Sequence, residues 1–465
     1  MAGLEALQGR ALVWVATARD TSCTPVCPQS MEGRALYTPQ RLFGEVRSSS
    51  DILTHEPFLE RARLQREQEH EGSARLALGA YVVARLVDKL LTRRQDAAGV
   101  EGFRWQLDAV RRNVGELPGD SPESAHLGGV VAAVPLDGPP TANLWKSLTA
   151  YAYFLEHEGR LEEALEMLAL AARAQGAEMA PADFAGYALF AGRLNRELAR
   201  WDAALACYRA GEEAALKVGD LVAELRGRLG RGGVHRGQGN FPLARAAAED
   251  VVRKASELRL PDAQAMAYAD LGVIYSLQGL RLEALEAHYK AFQLSTDPQQ
   301  QMRTLSDLAM GLCEIGAHEA ARLAFQIVVN SNCKLLVRIN ALAELMDLES
   351  AVGNRVAFER CRGAVEDYRD RISPSMTADY YYKVGIGLAR FGQMARAKDA
   401  LTAGLSVAET HKLNAWYFKI EDALDDLAKS PVQQPPSRAV SELSEAPAVH
   451  EMVVGLREYA EMTAT

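Results

Sequence analysis

The stretch AYADLGVIYSLQGLRLEALEAHYKAFQL, residues 267–294, carries in one copy the pattern that decides the fold. Leu271, Tyr275 and Leu277 fall on a first predicted helix, and Leu282, Ala284, Leu285 and Ala291 on a second. Gly279 sits between them and supplies the conformational freedom of a tight turn. Small residues at Gly272 and Ala284 let two antiparallel helices approach closely, so the segment reads as a helical hairpin. One hairpin of this size cannot bury its own apolar face and needs a neighbour to stack on.

Neighbours recur along the chain in a fixed register. Glycine or alanine stands at a turn, with alanine five residues later, at Gly159/Ala164, Ala199/Ala204, Gly239/Ala244, Gly279/Ala284, Gly316/Ala321 and Gly392/Ala397. Gly353 with Phe358 is a weaker copy. The first four turns are 40 residues apart and the later steps are 37, 37 and 39. Such spacing predicts a solenoid of stacked helix pairs.

These residues resemble the tetratricopeptide repeat. In the fourth copy Tyr268, Leu271-Gly272, Tyr275, Gly279, Ala284 and Ala291 follow that pattern, with His288 in place of the usual aromatic, and Trp145, Tyr208 and Phe325 fill aromatic slots elsewhere. The resemblance covers roughly residues 143–410. The longer period is similar to that of a subclass found in cell-polarity adaptors and bacterial peptide-pheromone receptors. It implies an all-α, right-handed superhelical solenoid of antiparallel helix pairs with a ligand-binding concave face. It also implies a non-catalytic, cytoplasmic scaffold or regulatory adaptor that binds a protein or peptide.

The expected organisation is a helical N-terminal extension over residues 1–142, about seven repeats over 143–412, and a capping helix at 413–429. The stretch 430–446 is rich in proline and serine and reads as a linker. Residues 447–465 form a last amphipathic helix, with Val449, Met452, Val453, Leu456 and Ala460 on one stripe. That helix needs a surface to bury against. One choice is a capping or convex position; the other is the groove itself, where Glu442, Glu445, Glu451, Glu458 and Glu461 would face arginines.

Composition narrows the function classes. The chain has 465 residues, 48% of them apolar, and a formal charge of −9. A general nucleic-acid coat needs a basic excess that this chain lacks. The run Ala11–Ala18 is too short to span a membrane, and Glu5 argues against a signal peptide, leaving an amphipathic N-terminal helix. Six scattered cysteines do not make a disulfide framework, which points to a reducing compartment.

Chemistry-bearing motifs are sparse. Cys23 and Cys27 lack the second pair of ligands that a structural zinc site requires. The glycine string at 227–240 lacks Gly-Lys-Ser/Thr and reads as small-residue packing in the third repeat. Adjacent acids such as Glu162-Glu163 read as solvated faces. No catalytic residue, metal or cofactor is expected.

What remains is charge on the inner helices. The register of the resemblance puts Arg193, Arg196, Arg226 and Arg236 on inward positions of the second and third repeats, with Arg228, Arg231 and His235 close by, and Arg303 further along. Guanidinium groups hold carboxylates through paired hydrogen bonds, so the expected ligand is a protein or peptide with acidic groups or a free C-terminal carboxylate. The competing reading of the same arginines is a solvated face paired with Glu197, Glu213 or Glu224. Two other function classes stay open: an enzyme with a site in the first 140 residues lined by His55, His70 and the two thiols, and a nucleic-acid binder using the arginine stripe.

Overall fold

The computed structural model describes residues 37–43, 55–67, 70–92, 97–369, 372–411, 413–429 and 443–463. The expected N-terminal amphipathic helix, Cys23 and Cys27 lie outside them. Among the described residues the structure is all-helical, with 21 helices. Before the repeats come α1 (Pro39–Phe43), α2 (Glu56–Glu67), α3 (Glu71–Thr92), α4 (Ala97–Gly115) and α5 (Pro122–Ala133).

Seven antiparallel pairs follow. They are α6 (Ala142–His157) with α7 (Leu161–Gln175), α8 (Pro181–Glu197) with α9 (Trp201–Val218), α10 (Leu221–Gly237) with α11 (Phe241–Glu257), and α12 (Pro261–Leu277) with α13 (Arg281–Leu294). Then come α14 (Pro298–Glu314) with α15 (His318–Asn330), α16 (Leu335–Ala351) with α17 (Arg355–Glu366), and α18 (Pro374–Arg390) with α19 (Met394–Thr410). Two helices remain, α20 (Asn414–Lys429) and α21 (Pro447–Thr463).

The repeat signature has a direct backbone meaning. All seven turn residues occupy the left-handed region: φ is +73° at Gly159, +75° at Gly279 and +80° at Gly353, and Ala199 adopts +55° in the copy without glycine. Five residues later, Ala164, Ala204, Ala244, Ala284, Ala321 and Ala397 are all buried between paired helices. In the weak copy Phe358 is buried as well. Its ring lies over Gly387 of the next pair, where a Cβ would collide with it, and meets Phe391 edge-on at 5.4 Å. The larger side chain is thus accommodated by the neighbouring repeat.

One core expectation fails. Leu277 is 58% exposed, because it ends α12 where the helix turns away from the stack; Ile274, one turn earlier, takes the buried place.

Curvature follows from which helices touch. First helices of successive pairs pack on one another, as α8 does on α10, α10 on α12, α14 on α16 and α16 on α18. Second helices pack chiefly on the first helices, so the first helices line the inner side. At one end, α20 packs on α18 and α19 through Ile420 and Ala423 against Ala378 and Leu401. The last helix, α21, docks on the outer helices α13 and α15. Val449, Met452 and Leu456 are buried there, and the Tyr459 ring meets Phe292 at 5.0 Å while its hydroxyl bonds Gln301 Oε1 at 3.0 Å. This is convex docking, and the groove alternative for this helix is not what the structure contains. Apolar complementarity decides it: the buried stripe finds an apolar outer surface, while Glu451, Glu458 and Glu461 of the helix stay exposed.

Candidate ligand-binding surfaces

The arginines of the inner helices sit in defined partnerships. Arg193 on α8 reaches back to Glu156 on α6 with Nε–Oε1 at 2.6 Å and Nη2–Oε2 at 2.8 Å. Its guanidinium also lies 4.8 Å from the Phe190 ring centroid and 5.8 Å from that of Tyr153. Arg236 on α10 donates to Asp270 on α12 at 3.0 Å. Arg196 bonds Glu197 at 2.6 Å, and lies so close over Gly233 that a Cβ there would stand 2.8 Å from Nη1. Burial raises the Tyr208 hydroxyl, and Arg196, Arg193, Glu197 and Asp270 all act on it electrostatically, so these groups share one neighbourhood.

Three of the five expected groove arginines are therefore brought together, and each already faces a carboxylate. Arg226 is exposed on α10. Arg303 is exposed on α14, two inner helices further on, one turn before Asp307. Burial pushes the Asp307 carboxyl up to about 6, with Arg303 opposing. The nearby arginines are also paired: Arg228 to Glu224 and to Asp250 at 2.9 Å, and Arg231 to Glu212 at 2.6 Å. The same arrangement continues in the later repeats, where Lys383 on α18 meets Glu344 on α16 at 2.7 Å and Arg390 meets Asp347 at 2.6 Å.

A cavity of about 910 Å³ opens elsewhere, where α2, α5 and α6 face the starts of α16 and α18 and the end of α19. Its floor is a charge cluster. Glu123, at the start of α5, accepts from Arg61 of α2 at 2.8 Å, from Arg160 at 2.9 Å and from the Tyr151 hydroxyl at 2.7 Å. Burial alone would raise the Glu123 carboxyl, but Arg160 and Arg61 outweigh it and hold the group at about 2. Glu163 lies 2.8 Å from Arg61, yet for this carboxyl burial prevails and the shift is upward. His126 packs 4.8 Å from the Phe154 ring, and burial lowers its basicity.

Sequence reasoning missed this cluster, and Glu163 corrects it directly. The residue is 5% exposed rather than solvated, because the pair Glu162-Glu163 straddles two sides of α7 and only Glu162 points outward. No local pattern marked Arg61, Glu123 or Glu163, because the partners that bury them lie far away in the sequence. His55, expected near a site in the first 140 residues, is buried and bonded to Glu166 at 2.8 Å, and neither it nor His70 lines the cavity. The glycine string serves packing: Gly230 lies under the Tyr208 ring and Gly237 against Trp201. Among the described residues no cluster of three His, Cys, Asp or Glu side chains has metal-site geometry, and no helix is long and apolar enough to cross a membrane.

The seven helix pairs, with left-handed turn residues and buried alanines in register, give the chain a tetratricopeptide-like helical-repeat fold. No family model and no curated protein matches the sequence. Solved structures with related architecture include the NprR–NprX peptide complex, at 12% identity and a TM-score of 0.41 over 80% of this chain and 97% of that one. Apo RapI matches at 10% identity and 0.41, over 58% of this chain and 98% of that one. A Rap protein bound to competence and sporulation factor matches at 12% and 0.39, over 82% and 98%. At such similarity the functional reading has to come from this chain's own surfaces.

Proposed function

We propose that the protein is a non-catalytic, regulatory scaffold that binds an extended peptide or partner segment along its inner face. The observation that carries this reading is the cavity of about 910 Å³ that the first helices α6, α16 and α18 help to line, of the size and mixed polarity that ligand sites have. Its walls combine apolar side chains with a fixed charge cluster, an arrangement suited to holding a ligand rather than transforming one. Arg193, Arg196, Arg226, Arg236 and Arg303 are the proposed polar contacts along the remainder of the face. Of these, exposed Arg226 and Arg303 are best placed to meet a carboxylate, since Arg193, Arg196 and Arg236 would first have to share or leave their present partners.

The test is capture from a host lysate with the full chain and with the Arg226→Glu/Arg303→Glu double variant, followed by mass spectrometry and direct titration of the captured partner. Binding of a discrete partner that weakens in the double variant supports the reading. Unchanged binding removes the arginines from the site, and the absence of any partner or peptide above background overturns the scaffold reading.

A further inference from the structure

We propose that the cavity is a clasp site: it takes a cationic side chain flanked by apolar ones, presented by an extended peptide, and the occupant touches the early and late ends of the solenoid at once. The inference rests on the peptide-binding reading above and adds ligand chemistry and a second consequence.

The walls come from parts of the sequence far apart. Leu64 on α2 and Phe154 on α6 face Leu335 and Leu336 at the start of α16 and Ile372 just before α18. His411, at the end of α19, also lines this space, and burial lowers its basicity. An occupant of this space therefore has apolar contacts on both sides.

Charge selects the occupant. Arg61 and Arg160 are consumed by Glu123 and Glu163, and Glu162 is bonded to Arg200 on the next hairpin turn. Glu60 and Glu158 then leave the cavity wall with a negative excess. Glu158 is half-buried at the C-terminal end of α6, where the helix dipole is also negative. Burial raises its carboxyl, with Arg160 opposing. A cation placed there relieves both the dipole and the buried carboxylate.

The experiment uses three pools of blocked heptapeptides, random in Leu, Ile, Phe and Ala around a fixed central Lys, Gln or Glu, titrated against the full chain. The Lys pool should bind about ten-fold more tightly than the Gln pool, as a charge-assisted hydrogen bond is worth. Glu158→Gln should abolish that preference, and exposed Glu60→Gln, which leaves the fold undisturbed, should reduce it. Hydrogen exchange with the Lys pool bound should slow in α2 and at the start of α16 together. Protection at one end alone overturns the bridging. Binding of the Glu pool, lost in Arg226→Glu/Arg303→Glu but not in Glu158→Gln, overturns the clasp and leaves the scaffold reading intact. Retention of no pool overturns both.

Discussion

His288 packs face-on against Gly272, close enough that a Cβ on the glycine would stand 2.5 Å from the imidazole Cε1. The histidine is 4% exposed, its Nδ1 has no hydrogen-bond partner, and burial lowers its pKa to about 4. The unfolded chain, with a histidine near 6.5, binds the proton first as pH falls. The stabilisation is therefore complete above about pH 6.5 and is lost on descending to about 4, a change of about 3 kcal/mol. Urea titrations at pH 7 and 4.5 should show this loss in the wild type and a smaller one in His288→Leu. Equal losses would mean the ring is not held neutral.

Ala199 is the one residue among the seven turns within the helix pairs that adopts the left-handed conformation with a side chain. Ala199→Gly should stabilise the protein by about 0.5–1 kcal/mol by relieving that strain. Gly279→Ala should cost a similar amount, and differential scanning calorimetry of both variants checks the opposite signs.

Ala284 is buried between α12 and α13 at 3% exposure. Ala284→Leu should overpack the pair and cost about 1–3 kcal/mol. Ala248 on α11 is equally buried, at 2%, so Ala248→Leu should cost a comparable amount. A melt unchanged by either substitution would contradict the packing described.

Removing Glu123 leaves Arg61 and Arg160 over a single remaining carboxylate. Glu123→Gln should destabilise by about 3–5 kcal/mol, the cost of breaking a buried ion cluster from one side. In the wild type, where the folded carboxyl titrates near 2, the contribution is complete above about pH 4.5 and fades as pH falls toward 2. Denaturant midpoints at pH 7 and 4 should differ less in the variant on this account.

Gly455 of α21 faces the Tyr289 hydroxyl, where any Cβ would collide. Gly455→Leu should therefore lift the helix off α13 and α15, seen as lost hydrogen-exchange protection in residues 447–463. Truncation after Lys429 should lower the stability of the fourth and fifth repeats and leave ligand affinity unchanged, because the helix lies on the outer side.

The repeat was legible because turn stereochemistry and close helix approach each demand a residue type at a fixed position. Gly159, Gly239 and Gly279 announce the turns, and Ala164, Ala204 and Ala284 the contacts, whatever surrounds them. The amphipathic stripe of α21 was equally plain, but the outer surface it covers was not, since Phe292 and Tyr289 are ordinary aromatics until α21 rests on them. Glu163 and Arg61 were illegible for a related reason: they lie about a hundred residues apart, and no local pattern says that a charge will be buried against a distant partner. The register marked Arg193 and Arg236 as charges of the first helices, but not that their counter-charges stand on neighbouring repeats.

Those counter-charges have an evolutionary implication. Glu156 meets Arg193, Asp270 meets Arg236, and Glu344 and Asp347 meet Lys383 and Arg390, each match belonging to a single junction and with the order of acid and base reversed at Asp270. An array of interchangeable units grows and shrinks by unequal recombination. Here, a recombination that breaks one of these three junctions would set a charge beside a non-cognate surface, so those seams resist changes in repeat number.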